Sequence, residues 1–359
     1  MVAVEKKPWI ETPLIESAPL SKTAGCRVFL KLELLQPSGS FKSRGIGNFI
    51  RTTLRHPSNK GKNLHFFISS GGNAGLAAVI AARDLGCSCT VVVPLSTKPM
   101  MVQKLWNVGA TDIVQVGASW FEADTHLRKT FIENQDVSKT GTENVYVPPF
   151  DHPDVWAGAG TLIEEVAKQL PARENEGGPF PADVVICSVG GGGLFNGVVG
   201  ALGRHIEAQK GSEAAAAGRK VRVLAAETKG ADSLALSLRE QSLQSLPAIT
   251  SLATSLGALQ VAPQAFKYAQ SPPAGVDVVS VVRSDAEAAR GLVRLSDEHR
   301  LEVELACGIS VDLGSSAKLK ESVSDLTPES RVVVVVCGGS NISAETIAEY
   351  RQKLADGWA

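Results

Sequence analysis

No uninterrupted apolar run in the chain approaches the roughly 20 residues that a membrane-spanning helix needs, so a membrane span is not expected. An excess of charge of one sign is also missing. With 36 basic and 37 acidic side chains and a formal net charge of -1, the sequence lacks the basic excess on which nucleic-acid and membrane-surface binders draw. Neither kind of partner is expected. Cysteine is sparse, and its six positions (Cys26, Cys87, Cys89, Cys187, Cys307 and Cys337) include no CxxC pair and no metal-finger spacing, which points to reduced and mostly buried thiols. The N-terminus, Met1 to Pro8, has no apolar signal core, and a cytoplasmic location is expected. What is present is 359 residues, 44% hydrophobic and 20% charged, enough for about two globular domains with ample core.

The apolar pattern alternates between strands and helices. Strand-like runs at 64–68, 89–93, 112–116 and 145–147 are separated by helix-like runs at 74–85, 100–108 and 121–133. A second series follows, with helices over 156–169 and 194–207 and strands over 183–188 and 222–227. Such alternation predicts α/β architecture with mostly parallel sheets covered on both faces. The Pro/Gly/Glu-rich segment 171–181 and the alanine-rich segment 211–218 read as loops, because regular alternation resumes after each. Boundaries are placed near Gln36 and Val147 instead. Residues 1–36 with 148–359 would form a larger, cofactor-binding domain, and 37–147 a smaller, substrate-side one.

Four segments carry chemistry. Ser38-Gly39-Ser40-Phe41-Lys42-Ser43-Arg44-Gly45 sets one lysine in a turn of small residues between a strand-like run and a helix-like run from Gly45 to Leu54. A pocket that lowers a lysine pKa makes its amine a nucleophile toward an aldehyde, although a lysine beside such a turn is ordinarily just a solvated surface group. Next, Val184 to Val189 runs into Gly190-Gly191-Gly192-Gly193-Leu194, a strand, four glycines and a helix start. Backbone N–H groups there can turn inward beside a favourable helix dipole, which suits a phosphate; a plain tight turn would need only one or two glycines. The Gly-Lys-Ser/Thr ending of a nucleotide P-loop and the GxGxxG spacing are both absent, so a single phosphate fits better than a nucleotide.

Ser69-Ser70-Gly71-Gly72-Asn73 lies at another strand-to-helix junction and offers donors suited to a carboxylate or an anionic ring oxygen; Ser70 or Asn73 could equally cap the helix. Finally, five valines, Val332 to Val336, end in Cys337, which brings a thiol to the carboxyl end of a buried strand, where ligands sit in parallel sheets. A cysteine that is simply a buried hydrophobe is the plainer reading of that residue alone.

Taken together and in this order, these segments resemble the fold type II family of pyridoxal-5′-phosphate (PLP) enzymes, the tryptophan synthase β-like fold. More narrowly, the chain resembles the eukaryotic L-serine/L-threonine dehydratases, from Pro8-Trp9-Ile10-Glu11-Thr12-Pro13-Leu14 through Pro149-Phe150-Asp151-His152-Pro153, Ala226-Glu227-Thr228 and Ala306-Cys307-Gly308 to the Cys337 segment. The resemblance implies two domains, each an open twisted sheet flanked by helices, and a lyase of amino-acid degradation that is a homodimer. Lys42 would hold PLP as a Schiff base and then remove the substrate α-proton. Phe41 and Ser255 would flank the ring, Asn73 would bond its 3′-oxygen, Gly190, Gly191, Gly192, Gly193 and Leu194 would bind the phosphate, and Cys337 would face the pyridine nitrogen. Ser69, Ser70, Gly71 and Asn73 would hold the substrate carboxylate, with Phe150 nearby.

A thiol is a weaker partner for that nitrogen than an aspartate, which favours prompt loss of a β-substituent and hence β-elimination. The family further implies a monovalent cation, commonly potassium, at Glu227, Ala231, Ser233, Leu256 and Ala258. Three positions depart from its pattern: Gly71 and Ser255 each stand where alanine is usual, and Leu305 replaces a common proline ahead of Cys307 in the segment carrying Glu304. A regulatory domain after Ala359 is not expected, nor is the feedback control of the longer threonine dehydratases. The alternatives are serine racemisation or β-replacement on the same fold, and a non-catalytic PLP-binding regulator.

Overall fold

The computed structural model describes residues 6–170, 180–209, 219–315 and 318–359. Most of the 171–181 segment and all of 211–218, read above as loops, lie outside the described residues. Ten strands occur among them in chain order: β1 Leu14–Glu16, β2 Arg27–Lys31, β3 Asn63–Ile68, β4 Ser88–Val93, β5 Asp112–Gln115, β6 Thr142–Tyr146, β7 Val184–Ser188, β8 Val221–Thr228, β9 Val276–Arg283 and β10 Arg331–Val335. They form two sheets, in two compact units of the chain.

The first unit comprises the N-terminal residues through Ile10 and Gln36–Gly158. Its sheet has the order β5-β4-β3-β6, and every pairing is parallel. Parallel neighbours need crossovers, which the helices Asn73–Asp84, Pro99–Asn107 and Trp120–Leu127 supply. Phe66, Ile68, Val91 and Val93 of the sheet share one core with Ile46 and Ile50 of the Lys42–Arg55 helix and with the alanines of Asn73–Asp84. The helix expected over 121–133 is α-helical only to Leu127; over Arg128–Glu133 it widens into π turns.

The second unit comprises Glu11–Leu35 and Ala159–Ala359. Its six strands are ordered β1-β2-β10-β7-β8-β9, parallel except for the antiparallel edge pair β1 and β2. Central strands β7 and β10 are buried at every position, as expected where helices cover both faces.

The division at Gln36 falls where the sequence placed it, whereas the grouping of the N-terminal residues and the later boundary differ from expectation. The N-terminal residues through Ile10 group with the first unit because the Gln36 amide donates to Ile10 O at 2.9 Å and its oxygen accepts from Ile10 N at 3.0 Å. The later boundary falls after Gly158, inside the Pro153–Gln169 helix, instead of near Val147. The first turns of that helix are held by Asn48, whose amide donates to Asp154 O at 2.8 Å, and Gly158 lies so close to Arg44 O that a Cβ there would be 2.3 Å away. A composition shift marks a linker, and here there is no linker to mark, since a continuous helix crosses the division.

Candidate active site

Lys42 opens the Lys42–Arg55 helix, three residues earlier than the apolar pattern placed the helix start. No side chain caps this helix. The turn is instead organised by its serines: Ser43 Oγ donates to Ser38 Oγ at 2.8 Å and accepts from Ser38 N at 3.1 Å, while Gly39 N bonds to Gln36 O at 2.7 Å. Ser38, Ser40 and Ser43 are all buried, so the polar octet is an internal, hydrogen-bonded turn. Half-buried Lys42 donates from Nζ to Pro149 O at 2.7 Å, and its Nζ stands 5.3 Å from the centre of the Phe41 ring. Phe150 adjoins that acceptor, and its own carbonyl is held by Trp156 Nε1 at 2.9 Å. Lys42, Phe41 and Phe150 are thus brought together.

The loop 69–73 leaves the carboxyl end of β3 and enters the Asn73–Asp84 helix. Neither Ser70 nor Asn73 caps this helix; Gly72 is its N-cap, with no side-chain bond. Ser69 Oγ is buried and has no hydrogen-bond partner among the described residues. An unmet buried hydroxyl costs free energy unless a ligand or water meets it. The loop sits tight on its helix, because a Cβ at Gly75 would lie 1.9 Å from Ser70 O. Trp120 Nε1 donates to Ser69 O at 2.6 Å.

On the second unit, three neighbouring strands end in the residues singled out above. β10 leads to Cys337, β7 to the glycine loop, and β8 ends at Glu227 and Thr228. Gly192 has φ +89°, a left-handed conformation that favours glycine, and precedes the Gly193–Ala208 helix. The N–H groups of Gly190, Gly191, Gly192, Gly193 and Leu194 donate to no acceptor among the described residues. Nearby in sequence, Asn196 is buried with both side-chain amide atoms lacking a partner among the described residues. These unspent donors at a helix start suit an anion.

Cys337 Sγ lies 3.9 Å from Ser188 Oγ at the end of β7, and Ser188 in turn bonds Ser310 Oγ at 2.8 Å. A hydrogen bond with Cys307, followed by burial, pushes the Cys337 thiol well above its ordinary pKa, so it is a neutral thiol at physiological pH. Ser255 donates through a very short hydrogen bond to Glu304, whose other oxygen accepts from Asn341 N at 2.7 Å. Leu305 is the first residue of the Leu305–Ser315 helix, a position that proline also suits.

Glu227 is fully buried and caps the Ser233–Arg239 helix, accepting from Leu234 N at 2.9 Å and Ala235 N at 2.8 Å. Burial nevertheless pushes its carboxyl up to about 8. Ser233 Oγ is buried without a partner among the described residues. Ala231 N bonds Thr228 O at 2.9 Å, and Ala258 N bonds Leu256 O at 2.7 Å, while Leu256 packs its backbone against Gly190. Sequence reasoning missed Thr97, Trp120 and the partnership of Cys307 with Cys337. An exposed Trp120-Phe121 pair opening a helix was the only signal available for Trp120, and Thr97 carried none.

Across residues 6–338 the chain matches the family model described as "Pyridoxal-phosphate dependent enzyme", and the protein belongs to that family. It is 37% identical over 347 residues to an L-serine dehydratase of Saccharomyces cerevisiae, covering 96% of this chain and 97% of the relative. It is also 39% identical over 352 residues to the L-serine dehydratase/L-threonine deaminase of Bos taurus, covering 97% of each. Among solved structures, a fungal L-serine ammonia-lyase from Rhizomucor miehei superposes with a TM-score of 0.82 at 32% identity, covering 97% of this chain and 99% of that one.

Proposed function

We propose that the protein is a PLP-dependent ammonia-lyase that converts L-serine to pyruvate and ammonia, and L-threonine to 2-oxobutanoate and ammonia. The observation that carries the reading is the set of unspent N–H donors at Gly190 to Leu194, on a chain that keeps Lys42 in an internal turn. The residues fit the group: those donors match a phosphate, and Lys42 Nζ and the Phe41 ring match an aldehyde-bearing aromatic ring. When bound, PLP supplies the electron withdrawal that acidifies the substrate Cα–H.

The chain's own groups do the rest. Lys42 would hold the cofactor through Nζ, and its free amine would take the α-proton. Ser69, Ser70, Gly71 and Asn73 orient the carboxylate, with Phe150 excluding water alongside. Asn73 would also bond the ring 3′-oxygen. Cys337, a neutral thiol, would face the pyridine nitrogen and would offer it no full negative charge, which would favour departure of the β-hydroxyl. Loss of the α-proton and the β-hydroxyl releases one water, and hydrolysis of the resulting enamine consumes one water and gives the keto acid and ammonia. Ser255, held to Glu304, would line the second ring face.

For a monovalent cation, the buried and poorly compensated Glu227 together with the unmet Ser233 hydroxyl supports a site completed by backbone carbonyls of Ala231, Leu256 and Ala258. A cytoplasmic, homodimeric protein belongs to the same reading, on the family likeness. Keto-acid formation from L-serine and L-threonine by the pure PLP-loaded protein tests the proposal. Wild type should form both products, and Lys42→Ala should form neither and lose the visible absorbance of the bound cofactor. Absence of keto acid from both substrates would refute the reaction.

A further inference from the structure

The loops after β3, β4 and β5 interlock at the carboxyl edge of the first unit's sheet. Loop 69–73 is pinned at Ser69 by the Trp120 indole and at Ser70 by the close approach of Gly75. At Gly71 the neighbour is Thr97, from the loop after β4. A Cβ built on Gly71 would lie 2.7 Å from Thr97 Cγ2, 3.3 Å from Thr97 Oγ1 and 3.3 Å from Val93 Cγ1. Gly72, by contrast, has open space where a Cβ would point. The first of the Gly71 distances is shorter than packed carbon atoms tolerate, and Thr97 is β-branched and stiff at χ1. With Ser69 and Ser70 already held, the loop has little freedom to move aside.

We propose that Thr97 is a positioning residue: its Cγ2 methyl fills the volume that a side chain at position 71 would need, so the Thr97–Gly71 pair sets the seat offered to the substrate carboxylate. The proposal rests on the reading that loop 69–73 receives that carboxylate. Ser69 Oγ, buried without a partner among the described residues, is the loop's free donor, and its position follows from where the loop is held. An alanine at 71 would displace the loop unless position 97 loses the methyl in its way.

Thr97→Ser deletes Cγ2 and keeps Oγ, whereas Thr97→Val keeps Cγ2 and exchanges the hydroxyl for a second methyl. Three variants of the PLP-loaded protein therefore decide the matter: Gly71→Ala alone, and the same change with Thr97→Ser or with Thr97→Val. The readouts are KM and kcat for L-serine and, by calorimetry, the Kd of 3-hydroxypropionate, which has serine's carboxylate and hydroxyl but no amine. Gly71→Ala should raise KM and Kd about tenfold with kcat changed less than about threefold, the effect of roughly 1.4 kcal/mol of overpacking. Adding Thr97→Ser should bring both constants back to within about threefold of wild type, and adding Thr97→Val should not.

Equal rescue by serine and valine, or wild-type constants in Gly71→Ala, would overturn the proposal. If Gly71→Ala unfolds, the melting midpoints of the two double variants carry the same contrast, with the serine double higher. Should the wild type form no keto acid while the Kd pattern holds, the assigned reaction falls and the Thr97–Gly71 pair stands.

Discussion

Glu227 makes the stability of the protein depend on pH in a direction opposite to that of most carboxylates. Burial raises its carboxyl from 4.5 to about 8, with Asp232 adding to the push, and the N–H groups of Leu234 and Ala235 offset only part of it. The folded protein therefore holds this proton more tightly than the unfolded chain does. Its contribution is fully present below about pH 4.5 and is lost as pH rises through about 8. At 1.36 kcal/mol per unit, the shift sets a ceiling of about 4–5 kcal/mol on that loss. A monovalent cation at Glu227 would favour the ionised form and flatten the slope.

The assay is urea unfolding from about pH 6 to about pH 8.5, in potassium chloride and in tetramethylammonium chloride, for wild type and Glu227→Gln. Without potassium, wild type should lose stability steeply relative to Glu227→Gln; with potassium, the difference in slope should shrink. A slope in Glu227→Gln equal to that of wild type would refute the assignment to this carboxyl. An unchanged wild-type slope in potassium would refute the cation.

Three further outcomes are expected. Gly192→Ala forces a side chain into φ +89° and places a Cβ 2.7 Å from Ala265 Cβ, so PLP affinity should fall at least about tenfold, read by equilibrium dialysis against the free cofactor. Lys31, fully buried at the end of β2, donates to Thr12 O, Glu165 and Gln169; Lys31→Met should cost about 3–5 kcal/mol in urea unfolding, and adding Glu165→Leu should recover part of it. Ser255→Ala removes a charge-assisted hydrogen bond to Glu304 and should cost about 1–3 kcal/mol of stability, while the Asn341 N–H bond keeps Glu304 in place.

The glycine loop was legible because its shape is backbone chemistry: four glycines between a strand and a helix predict a turn with unspent N–H groups without reference to any distant residue, and the described residues leave them unspent. Lys42 was legible only in company, since the octet alone looks like a surface turn, and its burial comes from serines that bond one another and from Pro149, which is 107 positions away. The helix start at Lys42 escaped the apolar pattern because the first turn is polar and is secured by side-chain bonds. The later domain boundary, expected near Val147, was misplaced for the opposite reason, a continuous helix that composition cannot divide.

Sequence by itself determined the alternation of strands and helices, the near-neutral surface and the resemblance carried by the four motifs, all of which are local patterns of residue type. Tertiary structure alone decided which groups are left unpaired and which are crowded: the raised carboxyl of Glu227, the neutral thiol of Cys337 beside Cys307, the bond from Ser255 to Glu304 and the methyl of Thr97 against Gly71. The physical reason is that burial, hydrogen-bond satisfaction and steric contact are properties of neighbours in space, and these neighbours lie on separate segments of the chain.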